Sequence, residues 1–258
     1  MHRFFLPPEF ATGPIIFLTD REAHHAMHVL RLRQGEKVAV IDGAGHQLDT
    51  EVCSIERNRI GLKVRSRTPG SALPCQVTLL QAIPKGKLIE SIVQKATELG
   101  VFRIVPILTE RVVRQLDADQ AAREAEKLRT VAVEAIKQCG CPWLPKVELP
   151  ISIEGFLSRG ERYELPLVAS LQEQSRHPGD WFRRYIDDHA RLPRSVCIWI
   201  GPEGDSTATE LKSIEGMGAL PITLGPFILR TETAAIYSLS VINYEAQLLS
   251  RSATGISR

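Results

Sequence analysis

The residue whose type and place most need a chemical explanation is Arg230, in the run Gly225-Pro226-Phe227-Ile228-Leu229-Arg230-Thr231-Glu232-Thr233-Ala234. A helix is predicted directly after it, over residues 233–249. Thr231 reads as its N-cap and Glu232 as a first-turn acid, both of which helix energetics select without any ligand. A guanidinium beside the positive end of a helix is electrostatically disfavoured, so Arg230 points to an anionic partner. A second loop, Gly201-Pro202-Glu203-Gly204, follows the apolar run 196–200. It sets an acid between glycines at the carboxyl end of a predicted strand, where open α/β sheets form their ligand crevices. Thr207 with Glu210 has capping-box spacing, so a helix is expected straight after that loop. Spacing alone leaves two readings open: turns that need glycine for backbone reasons, or walls of a ligand site.

The opening part of the chain offers a different chemistry. Between residues 57 and 67 the cations Arg57, Arg59, Lys63, Arg65 and Arg67 hold odd positions, and Ile60, Leu62 and Val64 hold even ones. On a strand these are opposite faces, so the apolar set meets a core while up to five positive charges, with no acid among them, face outward. Such a ladder suits a phosphate backbone, and it equally describes a solvated surface strand. A predicted helix over 22–32 carries His24, His25 and His28 and leads to Arg31 and Arg33, a second basic surface. His24 and His28 have the spacing of metal ligands, but neither a third ligand nor an internal Glu accompanies them, so no metal is expected.

The elements that must position these residues fall into two regions. Short β-rich runs at 37–41 and 60–64, separated by the turn Asp42-Gly43-Ala44-Gly45, predict a small, mostly β domain over 1–70. Turn formers cluster over 65–74, and a second domain is expected over 74–250. There a strand at 76–83, a helix at 87–99 stopped by Gly100, and a strand at 103–108 make a βαβ unit. A long helix over 118–139, apolar runs at 165–171, 196–200 and 222–224, and the last helix complete an α/β pattern that implies a parallel sheet. With 32 Lys and Arg against 30 Asp and Glu, net charge does not announce a nucleic-acid partner, so the distribution must. Five scattered cysteines lack the spacing of a disulfide framework or zinc site, and the absence of a signal-like or membrane-length apolar run completes the expectation of a cytoplasmic protein. No glycine-rich dinucleotide turn follows the strand at 76–83, which excludes that oxidoreductase class.

The two loops, 200–204 and 224–234, resemble paired signatures of the bacterial 16S rRNA (uracil-N3)-methyltransferases, a family of the SPOUT class. The resemblance extends to His2-Arg3-Phe4-Phe5, Gln94-Lys95-Ala96-Thr97-Glu98-Leu99-Gly100, Glu110-Arg111 and Gln138-Cys139-Gly140, and so covers effectively the whole chain. It implies a PUA-like β-barrel N-terminal domain that binds RNA and a C-terminal α/β domain tied in a deep trefoil knot. It also implies a homodimer in which one subunit's N-terminal domain serves the other's knot. S-adenosylmethionine would be held by Leu171, Ile200, Gly201, Pro202, Glu203, Gly204, Leu224, Gly225, Ile228, Leu229, Arg230, Thr231, Thr233 and Ala234. The implied partner is 16S rRNA in the 30S subunit, with Arg3 joining the basic residues above as an RNA contact, and no membrane is involved. Arg230 would stabilise charge on the uracil, with Glu232 and Glu203 as proton acceptors or orienters. Phe227, Asp205, Lys137 and Cys141 depart from the family pattern, and these departures bear on which nucleotide is the target. The alternatives are another rRNA or tRNA nucleotide as target, or a non-catalytic RNA-binding assembly protein.

Overall fold

The structure, a computed structural model, describes residues 1–71, 73–110, 117–172 and 175–253, the side chains of 249–253 excepted. The chain packs as two compact units, 1–72 with 132–144, and 73–131 with 145–258.

In the first unit β1 (Arg3–Phe5), β2 (Ile15–Leu18), α1 (Asp20–His24), β3 (Lys37–Ile41), β4 (His46–Ile55) and β5 (Ile60–Pro69) follow one another. The strands form one sheet in the order β1-β3-β4-β5-β2. Phe4 of β1 and Ile16 and Leu18 of β2 join one core with Val38, Val40, Leu48 and Leu62, so the sheet curls round a single apolar filling. Its ends are not paired with each other, and the expected barrel is therefore open. The helix predicted over 22–32 is shorter. After α1 the backbone enters one π-helical turn, His25–Val29, and reverses at Arg31 with φ +54°. That wider turn lets Ala26 O accept from Leu32 N–H at 3.0 Å, bringing Leu32 back onto the core that Ala23 and Ala26 already touch.

The second unit holds β6 (Gln76–Ala82), α2 (Leu88–Glu98), β7 (Arg103–Leu108), the first part of α3 (Ala118–Cys139), β8 (Lys146–Val147), β9 (Ile151–Ser152) and α4 (Ile153–Leu157). It continues with β10 (Leu165–Ala169), α5 (Pro178–His189), β11 (Ser195–Ile200), α6 (Ala208–Gly216), β12 (Leu220–Ile222) and α7 (Thr231–Ala253). The sheet runs β12-β10-β11-β6-β7-β8, with β9 also on β7, and every pairing is parallel. One face packs Leu80, Val105, Val168 and Trp199 against Phe156 of α4 and Ile214 of α6. On α2, Ile89, Ile92, Val93 and Ala96 form the buried stripe that the three-to-four spacing predicts, and α2 packs against α7. Gly100 stops α2 with φ +76°.

The later part of α3 belongs with the first unit. Val133 and Ile136 pack on Phe5 and Ile41 beside Cys141 and Leu144. Among the described residues no helix is long and apolar enough to cross a membrane.

Candidate active site

The loops after β10, β11 and β12 enclose a cleft of about 590 Å³ at the carboxyl ends of the strands. The carboxyl ends of the strands are where open parallel sheets bind ligands, and the volume is that of a small-molecule site. Of the residues expected to hold a cofactor, Leu171, Ile200, Gly201, Pro202, Glu203, Gly204, Leu224, Gly225, Ile228, Leu229, Thr231 and Ala234 line this cleft. Arg230 and Thr233, both exposed, do not line it. The signal that sequence reasoning missed was positional: β10 ends in a third loop of the same kind, of which only Leu171 had been named.

The loop after β11 is a tight turn in which Asp205 N–H donates to Pro202 O at 3.0 Å. Asp205 sits at φ +62°, a left-handed conformation that favours glycine. Aspartate tolerates this backbone because its short side chain bonds locally, here with Oδ1 accepting from Ser206 N–H at 2.8 Å. Glu203 is exposed, and its Oε1 accepts from the backbone N–H of Lys85, on the loop after β6, at 3.1 Å. The expected capping box is present. Glu210 accepts from Thr207 N–H at 2.7 Å, and Thr207 Oγ1 accepts from Glu210 N–H at 3.2 Å. The other Glu210 oxygen accepts from Glu110 N–H at 2.9 Å, so the matched segment at Glu110 serves to anchor α6; Arg111 lies outside the described residues. In the loop after β12 Gly225 takes φ +109°, while Phe227 and Ile228 stand 78% and 81% exposed.

The start of α7 corrects one expectation. Arg230, and not Thr231, is the residue before the helix, because its carbonyl accepts from Ala234 N–H at 2.8 Å. Thr231 is the first helical residue, and its hydroxyl leaves the helix altogether: it donates to Gly201 O at 2.7 Å and accepts from Gln81 Nε2 at 2.9 Å. Capping by Thr231 loses to this bond because a buried hydroxyl and a buried amide must satisfy each other. The Arg230 guanidinium has no hydrogen bond or ion pair among the described residues. Glu232 is half-buried, and its Oε2 has no partner among the described residues.

On the first unit the basic strand also needs correction. Ile60 and Leu62 are buried and Lys63, Arg65 and Arg67 exposed, as alternation requires, but Arg57 and Arg59 precede β5, in the turn. Acids on β4 share the outward face, since Glu51 lies opposite Lys63 and bonds Arg65 at 2.8 Å. Arg59 pairs with Glu56 at 2.8 Å and lies over the Phe17 ring, while Arg67 reaches Asp42 at 3.8 Å and bonds Ala11 O. Arg31, Arg33, Arg57 and Lys63 keep exposed side chains without ion pairs among the described residues. His24 is exposed and its ring lies 4.7 Å from that of His28; His25 is half-buried against Phe4. Arg3 is turned inward. Its guanidinium donates to Gln138 O at 3.1 Å and to Lys137 O at 3.4 Å, capping the negative end of α3. A Cβ on Gly140, where φ is +80°, would meet that guanidinium at 3.0 Å, so the segments at Arg3 and Gly140 are matched to each other.

The densest charge cluster is remote from the cleft, at the amino ends of the strands, where Arg103, the first residue of β7, bonds Glu148 at 3.2 Å and also Glu161 and Tyr163. Burial opposes ionisation of Glu148, but bonds from Arg159 and Lys146 and the charge of Arg103 outweigh it and hold its carboxyl at about 2. Burial pushes the Cys197 thiol up to about 12, which leaves it inert as a nucleophile.

Residues 71–243 match the family described as RNA methyltransferase domain, and residues 18–64 that described as RNA methyltransferase PUA domain. The ribosomal RNA small subunit methyltransferase E of Bacillus subtilis is 30% identical over 96% of this chain and 98% of its own length. Among solved structures, a putative methyltransferase of Legionella pneumophila in complex with the bound cofactor S-adenosylmethionine superposes with a TM-score of 0.82 and 30% identity, over 94% of this chain and 96% of that one. The ribosomal RNA small subunit methyltransferase E of Neisseria gonorrhoeae, bound to S-adenosylmethionine, gives 0.81 and 26%, over 95% of this chain and 97% of that one.

Proposed function

The chain belongs to the RNA methyltransferase family of the SPOUT class, and from that premise we propose that it transfers the methyl group of S-adenosylmethionine to N3 of one uridine in 16S rRNA of the small ribosomal subunit. The observation that carries this reading is the cleft. Its apolar walls, Leu171, Ile200, Leu224 and Leu229, suit a flat heteroaromatic ring, and Glu203 and Asp205 suit a neighbouring cation. S-adenosylmethionine joins those two features in one molecule and supplies, when bound, an electrophilic methyl group on sulfur. The residues present fit it.

The chain's own task is then to bind the nucleotide and manage one proton. Uracil N3 holds its proton at neutral pH, and each pH unit by which its acidity must be raised costs about 1.4 kcal/mol. Arg230 stabilises the charge that develops on the uracil oxygens as that proton leaves, a role open to it because its guanidinium is exposed and unpaired among the described residues. Glu203 lines the cleft and is the better placed proton acceptor or orienter; Glu232, half-buried and outside the cleft lining, is the second candidate for that role. RNA is held by the first unit through Arg31, Arg33, Arg57 and Lys63, with His24, His25, Arg59, Arg65 and Arg67 around them.

Two features of assembly belong to the same proposal. The chain leaves the sheet's edge at β12 and returns to bond Thr231 with Gln81 and Gly201, at the ends of central strands, which supports a threaded, knotted path. On α7 Tyr237, Tyr244 and Leu248 are 40%, 63% and 46% exposed along one stripe, which supports a homodimer. A substrate in the small ribosomal subunit, which the names of the relatives support, makes the cytoplasm the compartment of this reading. The experiment is methyl transfer from labelled S-adenosylmethionine to 30S subunits and free 16S rRNA lacking N3-methyluridine, with the product nucleotide mapped by mass spectrometry. One N3-methyluridine is expected; label on another nucleotide would move the target, and RNA binding without transfer would sink the reading.

A further inference from the structure

Gln81, the residue next to the end of β6, is fully buried, although nothing in the mechanism above uses it. Its Nε2 donates to Ala82 O and to Thr231 Oγ1, each at 2.9 Å. Its Oε1 has no partner among the described residues, so the amide acts here only as a donor. Ala82 O settles the orientation: it can only accept, and a reversed amide would set oxygen against oxygen. Thr231, 3% exposed, has a single hydroxyl hydrogen. With one lone pair taken by the Gln81 N–H, that hydrogen is directed to the remaining neighbour, Gly201 O, at 2.7 Å. The order Gln81 to Thr231 to Gly201 therefore has a direction imposed from one end.

We propose that Gln81 is a positioning residue for the cofactor cleft, fixing the Thr231 hydroxyl so that it ties the first turn of the last helix to the loop that begins at Gly201. Thr231 and Gly201 both line the cleft, and the tie joins two of its walls across 30 residues of chain. Gln81 itself lies outside the cleft and acts through Thr231. The inference rests on the functional reading above for the identity of the ligand, and on the hydrogen bonds alone for the relay.

The test compares Gln81→Met, Thr231→Val and their double variant with the wild type. Two quantities are measured: affinity for S-adenosylmethionine by calorimetry, and amide hydrogen exchange over residues 201–206 in the cofactor-free protein. Each single variant is expected to weaken binding about 10-fold, the loss of one directed hydrogen bond, and to speed exchange in the loop. Because both residues serve one relay, the double variant is expected to match the singles and not to multiply to about 100-fold. Thr231→Ser, which keeps the hydroxyl, is expected to restore affinity to within about 3-fold of wild type. Wild-type binding and exchange in the singles, or a multiplied loss in the double, would overturn the proposal. Should Gln81→Met fail to fold, Thr231→Val, which leaves Gln81 in place and removes only the relayed hydroxyl, carries the test with the same 10-fold loss and faster exchange expected. The exchange measurement reads the relay even where the wild type binds no S-adenosylmethionine, an outcome that would sink the functional reading alone.

Discussion

Arg230 stands out in the sequence because a cation beside a helix N-terminus opposes the helix dipole, and in the structure it closes no internal ion pair among the described residues. Its cost is therefore uncompensated among the described residues, which is why the proposed mechanism gives it the charge developing on the uracil as its partner. Arg230→Ala is expected to lower methyl transfer by about 100-fold or more while the melting temperature stays level or rises slightly. An active Arg230→Ala, measured with labelled cofactor, would remove the residue from the mechanism. Asp205 carries the opposite kind of cost, since φ +62° strains any residue with a Cβ. Asp205→Val is expected to lose about 1–2 kcal/mol in a urea titration, and Asp205→Gly to be tolerated, because a branched residue has neither the backbone freedom nor the local hydrogen bond. Thr231 shows how residue-level reading fails. Its type suits a cap, but it is used at longer range, and no local pattern announces Gln81 as its partner.

At the scale of elements the capping box that starts α6 was legible from Thr207 and Glu210, because both partners lie within one turn. What the pattern omitted was the other Glu210 oxygen, which holds Glu110 N–H just after β7. Glu210→Ala would strand two N–H groups, and the expected loss is about 2–4 kcal/mol by chemical denaturation, with Glu210→Gln intermediate. The alternation along β5 was also legible, but its charge balance was not, since Glu51 and its neighbours arrive from β4 through register. A paired cation has less to offer a phosphate. Salt-dependent RNA binding is therefore expected to weaken more for Arg57→Ala and Lys63→Ala than for Arg65→Ala, with the slope against log salt falling by about 0.7–0.9 per lost contact. Equal effects across all three would show that the Glu51 pair opens on binding. Arg3, capping α3, is expected to change stability in preference to RNA affinity.

For the molecule as a whole, the Arg103 cluster makes acid stability a property of the second unit's sheet. Glu148, held at about 2 against an ordinary 4.5, contributes stability that is complete above pH 4.5 and lost as pH falls toward 2. Glu148→Gln is expected to lower stability near neutrality and to flatten the acid limb of a stability-against-pH curve; an unchanged limb would assign acid unfolding to other carboxylates. The sequence by itself determined the α/β class, the helix over 118–139 and the strands β10 and β11, each of which follows from apolar periodicity or turn chemistry within a few consecutive residues. The residues expected around the cleft came instead from the resemblance of two loops to a family, and the run at 222–224 meets β12 only at Ile222. The tertiary structure alone decided that the barrel is open, that α3 lends its later part to the first unit, that Arg3 faces a helix end, and that Gln81 and Gly201 share Thr231. The physical reason is that periodicity tells which face of a segment is buried and is silent on what covers it. Hydrogen bonds and ion pairs between residues 30 to 150 positions apart exist only once register and packing have brought their atoms together.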